Sequence, residues 1–152
     1  MNVKKHTPHD PVKLHAQHHS HIPVIASHMQ DAIVQSSSFA HDPEQKTFKL
    51  LCNRFCWEKF LNPDNPIKVR VHAGVHFDHV EKIHKKNIHL HHPDKLYNLM
   101  TIQANEKEVH LHFSENAEIR LEVKAISCKM ADLHEPYPTQ FLPAHSDKSQ
   151  LV

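Results

Sequence analysis

Apolar and polar residues alternate along most of the chain after residue 34, and this period of two constrains the fold more than any other feature. The alternation is clearest in three runs: Val69–Phe77, Val109–Phe113 and Ile119–Val123. Successive side chains of a strand point to opposite faces, so such runs are typical of strands that bury one face. The pattern predicts a mostly antiparallel sheet of about six to eight strands, strongly twisted or closed into a partial barrel.

A helical pattern precedes these strands. Its apolar residues recur every three or four positions: Ile22, Ile25, Ala26, Met29 and Ile33. This spacing predicts one amphipathic helix over roughly 21–33, with Ser20 as its N-cap and Pro23 tolerated in its first turn. A short strand is expected before the helix, at 12–16. The predicted fold class is α+β, one N-terminal helix packed on the sheet, and a pleckstrin-homology-like barrel is an alternative architecture.

The length of 152 residues fits one domain, which we place at residues 12–145. The flanking segments 1–11 and 146–152 are polar and are expected to be disordered tails. Between residues 124 and 133 the pattern fits either a helix or a strand, and both alternatives stay open.

Several local features follow from turn chemistry and strand phase. Residues 38–41 and 47–55 are expected to pair across a turn at 42–45, in which Asp42 accepts hydrogen bonds from the amides that follow. The strand phase changes after Asp78, which predicts a bulge or bend near 78–81. Gly74, the one glycine of the chain, is expected to mark a close approach of two backbones.

The strands at 109–113 and 119–123 are predicted to form a hairpin. If both apolar sets face the core, Phe113 lies opposite Ile119. That register places His112 across from Arg120 and His110 across from Glu122 on the outer face.

Charge and cysteine usage limit the partners and the compartment. The chain carries 18 Lys and Arg against 17 Asp and Glu, with no strong basic face, which argues against nucleic acid as a partner. The N-terminal residues contain no apolar run, so we expect neither a membrane partner nor a secretion signal. The three cysteines, Cys52, Cys56 and Cys128, are predicted to be reduced thiols, and the expected location is the cytoplasm.

Nineteen histidines raise the question of a metal site. His72 with His76, and His110 with His112, each place two imidazoles on one face of a strand, where zinc or another divalent transition metal could bind. No third ligand is evident and no metal-binding motif is present, so the main prediction is surface histidines and no cofactor. The alternative is a histidine-ligated metal protein using those four residues, which requires them to converge on one ion.

A second alternative is a thiol-dependent enzyme using Cys56, because many histidines could act as its base. Cys56 lies between two aromatic residues, where a buried and unreactive thiol is the commoner outcome. We therefore predict no catalytic residue.

The segment 53–58 most resembles a recognition surface. An arginine and a tryptophan at a strand end can hold a carboxylate, a phosphate or a peptide, which makes Arg54, Trp57 and Arg70 the predicted ligand-binding residues. The structural alternative is that Trp57 closes one end of the core and that Arg54 stacks or pairs nearby. The predicted function is a small non-catalytic binding or assembly module, with a protein partner or a homodimer formed through a sheet edge.

Several segments resemble a family of small alphaproteobacterial proteins whose domain has no assigned function. The segments that carry the resemblance are 25–34, 51–58, 74–77, 119–123, 131–133 and 143–145. The resemblance spans roughly residues 12–145 and implies no activity, cofactor or catalytic residue. Members of that family have Asn-Arg-Phe-Asp-Trp where this chain has Cys56 at the aspartate position, so acid chemistry there is not shared.

Overall fold

The computed structural model describes residues 10–89 and 91–143. It contains two helices, α1 (Ile22–Met29) and the four-residue α2 (Trp57–Phe60). The strands are β1 Lys13–Ala16, β2 Ala32–Gln35, β3 Ala40–Asp42, β4 Thr47–Phe55, β5 Val69–Phe77, β6 Val80–Lys86, β7 Leu96–Ala104, β8 Glu108–Phe113, β9 Glu118–Val123, β10 Cys128–Asp132 and β11 Tyr137–Pro138.

All strands join one antiparallel sheet in the order β1-β10-β5-β4-β2-β7-β8-β9-β6. β3 follows β2 along the same edge of β4, and β11 and β10 likewise share one edge of β5. The prediction of a mostly antiparallel sheet with a helix is confirmed, but the eleven strands exceed the predicted six to eight. The strands β2 and β3 share one edge of β4, and β10 and β11 share one edge of β5, with a short irregular segment between the members of each pair. Alternation in the sequence does not reveal such interruptions.

The sheet is open, because its path runs from β1 at one end to β6 at the other. It is therefore not the closed barrel that the pleckstrin-homology-like alternative requires. The helix α1 also lies between the first two strands instead of following the sheet.

The helix α1 is shorter than the predicted 21–33. It ends at Met29, and Asp31 adopts a φ of 62° while its N–H donates to the Leu99 carbonyl at 2.8 Å. Ile33 consequently lies in β2, because the apolar spacing of Ala32 and Val34 also fits a strand. The predicted cap is also wrong: Ser20 lies in a 3₁₀ turn and donates its N–H to His18 Nδ1.

Two further local predictions are confirmed, and one choice that the sequence left open is settled. The turn between β3 and β4 is confirmed, since Asp42 Oδ1 accepts from the amides of Glu44 and Gln45 at 3.0 and 3.1 Å. The bend after β5 is also confirmed, with a φ of 60° at His79 and a register shift early in β6. Residues 128–132 form β10, which settles the open choice at 124–133 in favour of a strand over that part.

The β8–β9 hairpin has a register two residues away from the predicted one. Leu111, not Phe113, lies opposite Ile119, so His112 faces Glu118 and His110 faces Arg120. The connection is a tighter turn than expected, because Glu115 and Asn116 both adopt positive φ and the Ala117 N–H donates to the Ser114 carbonyl at 3.2 Å.

Gly74 does not mark a close backbone approach. A Cβ at this position would lie 3.6 Å from Leu51 Cδ2 and 3.7 Å from Leu133 Cδ1, with the nearest backbone atom at 4.0 Å. These are ordinary contacts with side-chain ends, so the prediction is wrong.

The core lies between α1 and the inner face of the sheet. The helix buries Ile22, Ile25 and Met29, mainly against β7. The inner residues of the strands complete the core, among them Phe48, Leu50, Val75, Phe77, Leu99, Leu111 and Leu121. The outer face is largely polar and exposed, except near the end of β4, where α2 covers it. Neither helix in the described ranges is long and apolar enough to cross a membrane.

Candidate functional site

The short helix α2 builds a second, aromatic cluster at the end of β4. Phe55 is fully buried, and its ring centroid lies 4.7 Å from that of Trp57 and 5.7 Å from that of Phe60, both in edge contacts. Trp57 Nε1–H donates to the Gln30 carbonyl at 2.9 Å, which ties α2 to the end of α1. Trp57 therefore packs one end of the structure, with its indole N–H already bonded.

Arg54 lies on the inner side of β4 and is completely buried. Its Nε and Nη2 donate to the two oxygens of Asp132 at 2.9 and 3.0 Å. Its Nη1 and Nη2 donate to the two oxygens of Glu58 at 3.0 and 2.9 Å, and Nη1 also reaches the Phe55 carbonyl at 3.5 Å. All five N–H donors of the guanidinium are thus used within the protein.

Both carboxylates that bind Arg54 have a further neighbour. Asp132 also accepts from the Val12 amide at 2.9 Å, and His28 Nδ1 lies 3.7 Å from Glu58 Oε1. Partial burial acts to raise the pKa of Glu58, but the hydrogen bonds and charge of Arg54 outweigh it and hold that pKa below its usual value. Arg54 fastens β4 to β10 and α2, and it does not face an external ligand as the sequence had suggested.

Arg70 has the opposite environment. It lies on the outer face of β5, opposite Phe55, and is half-buried with its guanidinium carbon 5.8 Å from the Phe55 ring centroid. Its Nη1 donates to the Asn53 carbonyl at 3.0 Å, and within the described ranges its side chain makes no further hydrogen bond. Four N–H donors remain for a ligand. Burial lowers the pKa of Arg70, against smaller raising effects of Tyr137 and Asp31.

Polar and aromatic groups surround this guanidinium. Tyr137 of β11 lies opposite Arg70, and Asn53 Nδ2 donates to the Tyr137 hydroxyl. Asn53 Oδ1 is buried with no hydrogen-bond partner in the part of the chain that the structure describes. The His72 ring lies 5.8 Å from the rings of both Tyr137 and His134. An acceptor and several donors therefore converge on one small area.

A groove of about 490 Å³ adjoins this area and shares Asn53 and His72 with it. Its apolar lining comes from Ile33, Leu51 and Leu96, of which the last two are each 57% exposed. We call Arg70, Asn53, His72, Tyr137 and these three apolar residues the Arg70 site. Its chemistry suits a ligand that carries an anionic group beside an apolar one.

The four histidines of the metal alternative do not meet. His72 and His76 lie on β5, whereas His110 and His112 lie on β8, four strand spacings away, or roughly 19 Å. Three of them instead contact neighbouring side chains: His76 Nε2 and Asp78 Oδ1 are 2.9 Å apart, His110 lies 3.1 Å from Glu118, and His112 lies 3.1 Å from Gln103. A shared ion is excluded by this geometry, and the described ranges contain no group of three potential metal ligands.

The three cysteines are unpaired and buried. Burial is the main effect that raises the pKa of Cys56 to about 11, and it raises the pKa of Cys52 and of Cys128 to about 12. At neutral pH almost none of the Cys56 thiol is ionised, which does not favour nucleophilic chemistry.

The sequence suggested Arg54 and Trp57 as ligand-binding residues, but both are bonded within the protein. It did not identify Asn53 or Tyr137. Arg54 and Glu58 stand four residues apart, a spacing that signals an ion pair, but nothing local links Arg54 to Asp132, 78 positions later. Asn53 and Tyr137 come together only through the pairing of β4, β5 and β11. A polar residue at an outer strand position was the one available signal for Asn53.

Comparison with known proteins gives a family but no activity. A family model described as "Protein of unknown function (DUF2948)" matches residues 12–145. Searches of curated proteins and of solved structures found no match. The matched range equals the predicted globular domain and confirms the resemblance to a family without an assigned function. The chain belongs to the DUF2948 family.

Proposed function

We propose that this protein is a non-catalytic binding module that uses the Arg70 site to hold a ligand with a carboxylate or phosphate beside an apolar group. The observation that carries the proposal is the half-buried guanidinium of Arg70, which uses one of its five donors within the described chain. A guanidinium removed from bulk water usually has an anionic partner, because its desolvation is otherwise costly.

The surroundings of Arg70 support a ligand of this class. The fixed Phe55 ring beneath the guanidinium limits its motion, so less entropy is lost when it binds an anion. The Tyr137 hydroxyl, which accepts from Asn53 Nδ2, keeps its own O–H as a donor, and the groove supplies exposed apolar surface. Among the predicted contact residues, Arg70 remains the central one in this proposal, with Trp57 supporting it through Phe55.

Small probes can test the anion and the apolar group separately. We would titrate ¹⁵N-labelled protein with N-acetyl-leucine, with phenyl phosphate, and with N-acetyl-leucine amide, which lacks the carboxylate. The expected result is saturable shifts at Arg70 Nε–H and the Asn53 side-chain amide with one or both anions, and none with the amide.

The matched variants are Arg70→Gln and Arg120→Gln, the second being a half-exposed arginine on β9 that is paired with Glu108. Loss of a charge-assisted contact costs about 1.5–3 kcal/mol, so Arg70→Gln should weaken binding roughly ten- to hundredfold. Arg120→Gln should leave it unchanged. Equal binding by the amide probe, or by Arg70→Gln, would contradict the proposal.

Elemental analysis of untagged protein tests the metal alternative independently of the Arg70 site. Because the two histidine pairs are far apart, a His110→Ala, His112→Ala variant should not change the metal content of the purified protein. Near-stoichiometric metal that disappears in this variant would restore the metalloprotein alternative.

A cytoplasmic location belongs to the same proposal. Its support is the set of three buried and unpaired thiols, which a reducing compartment maintains. We expect no nucleic acid or membrane partner, and a protein that carries an acidic group beside an apolar one is the preferred partner class.

A further inference from the structure

A second surface, far from the Arg70 site in strand order, lies at the edge strand β6. Within the described ranges this strand pairs with β9 alone. Its start is attached to the rest of the fold, since the Val80 N–H donates to the Lys46 carbonyl at 2.8 Å. From Lys82 to Lys86 it runs in unbroken register with β9, and alternate residues of such an edge present N–H and C=O groups outward.

The outer faces of β8, β9 and β6 form three rows of polar residues across the sheet. The rows are Glu108, Glu122 and Lys82; His110, Arg120 and His84; and His112, Glu118 and Lys86. In antiparallel strands, side chains directly opposite one another interact most strongly, so each row behaves as a chain of neighbouring charges.

The acidic members of these rows are engaged with histidine or arginine. Glu108 pairs with Arg120 at 2.9 Å, Glu122 pairs with His84, and Glu118 lies 3.1 Å from His110. Lys82 and Lys86 are exposed and form no ion pair in the described ranges, and neither does Lys85. The outermost strand therefore presents lysines whose ammonium groups form no ion pair with the described residues of their own sheet.

This charge decides which kind of strand the edge can accept. A second copy pairing through β6 would place lysines against lysines, and like charges directly opposite are destabilising. Lysines also protect an edge from neutral, apolar strands. An acidic strand is different, because it would place an opposite charge beside Lys82 and beside Lys86.

We propose that the β6 edge binds an extended acidic segment of another protein as an added strand. Asp or Glu at alternate positions would face Lys82, His84 and Lys86. An apolar residue between them would cover Ile83, which is half-buried on the inner face beside Lys85. Main-chain hydrogen bonds would supply affinity and the alternating side chains specificity, as in other cases of strand addition.

Fluorescence anisotropy with labelled five-residue peptides tests this proposal. The probe is Glu-Val-Glu-Val-Glu, and the control with the same composition is Glu-Glu-Glu-Val-Val. Two further probes carry N-methyl groups, one on the amides of the glutamates and one on those of the valines. Only one of these two sets of amides can point toward β6.

We expect the alternating probe to bind at least about tenfold tighter than the block control, and one N-methylated probe to lose binding while the other keeps it. A Lys82→Gln, Lys86→Gln variant should weaken binding at least about tenfold. Lys13→Gln, Lys49→Gln removes two exposed lysines of other strands and should leave it unchanged.

Three results of the peptide experiment would overturn the proposal. Absent binding of the alternating probe, equal binding of the block control, or equal behaviour of the two N-methylated probes would each reject an added strand. The Arg70→Gln variant separates this test from the proposed function. Loss of peptide binding in that variant, with binding intact in Lys82→Gln, Lys86→Gln, would assign the acidic segment to the Arg70 site instead.

Discussion

Arg54 and Arg70 lie on neighbouring strands of one sheet, yet their environments are opposite. Arg54 is on the inner side, fully buried, with two carboxylates on its guanidinium. Arg70 is on the outer side, half-buried, with one bond to a backbone carbonyl. The two arginines therefore differ in how many of their N–H donors the described part of the fold already satisfies.

Strand parity and the position of the carboxylates produce this difference. Arg54 shares the inner side with Asp132, and the first turn of α2 brings Glu58 to the same guanidinium. Arg70 shares the outer side with Asn53, Phe55 and Tyr137, and the carboxylate of Asp31 acts on its pKa less strongly than burial does. The inner arginine therefore joins elements of the fold, and the outer one keeps N–H donors that no described residue uses.

The largest expected effect comes from Arg54→Ala. The substitution leaves the Asp132 carboxylate, whose side chain is 0% exposed, without its guanidinium. Removing one member of a buried pair costs about 3–5 kcal/mol in the free energy of unfolding. Urea denaturation followed by Trp57 fluorescence measures this change. A loss below about 1 kcal/mol would show that the network adds little to stability.

Glu58→Gln should have a smaller and pH-dependent effect. Glu58 is 31% exposed and shares Arg54 with Asp132, so we expect a loss of about 1 kcal/mol at pH 7. The pKa of Glu58 is lowered in the folded state, so its contribution is complete above the ordinary value of 4.5 and disappears as the pH falls through the lowered pKa. Denaturation of both proteins between pH 7 and 3 should show their stabilities converging below about pH 4.5. A difference that stays constant over this range would contradict the assignment.

Cys56 can report how firmly the region between the two arginines is closed. Its thiol is buried, and its N–H donates to the Val69 carbonyl at 2.9 Å. Alkylation by iodoacetamide at pH 7.5 should be slow in the native protein, and Arg54→Ala should accelerate it by about tenfold or more because local opening costs less. Arg70→Gln should leave the rate unchanged. Fast alkylation of the native protein at Cys56, located by mass spectrometry, would instead restore the thiol alternative.

Much of this fold could be predicted from the sequence because local alternation reports which face of a strand is buried. The pattern located β4, β5, β8 and β9 and the bend after β5. Pairing is harder, since register depends on turn geometry. The positive φ of Glu115 and Asn116 shortens the hairpin and moves His110 opposite Arg120, which alternation alone does not reveal.

Of the residues in the candidate site, the sequence identified Arg70 as a ligand-binding residue and did not identify Asn53 or Tyr137. The sequence marked Arg54, Trp57 and Arg70 as ligand-binding residues, but the long-range pairing with Asp132 occupies the guanidinium of Arg54. The histidines illustrate the same limit. Two pairs with suitable spacing lie on β5 and β8, and the strand order that separates them is a property of the whole sheet.

Arg70→Gln should change the free energy of unfolding less than Arg54→Ala or Glu58→Gln does. The variant loses one hydrogen bond to the Asn53 carbonyl and a ring contact with Phe55, but it also removes the cost of holding a charge in a partly desolvated position. These contributions oppose each other, so the free energy of unfolding should change by less than about 1 kcal/mol. Urea denaturation beside Arg54→Ala measures both variants on one scale. If Arg70→Gln lowered the free energy of unfolding as much as Arg54→Ala does, Arg70 would be a second structural arginine. The Arg70 site would then lose its main support.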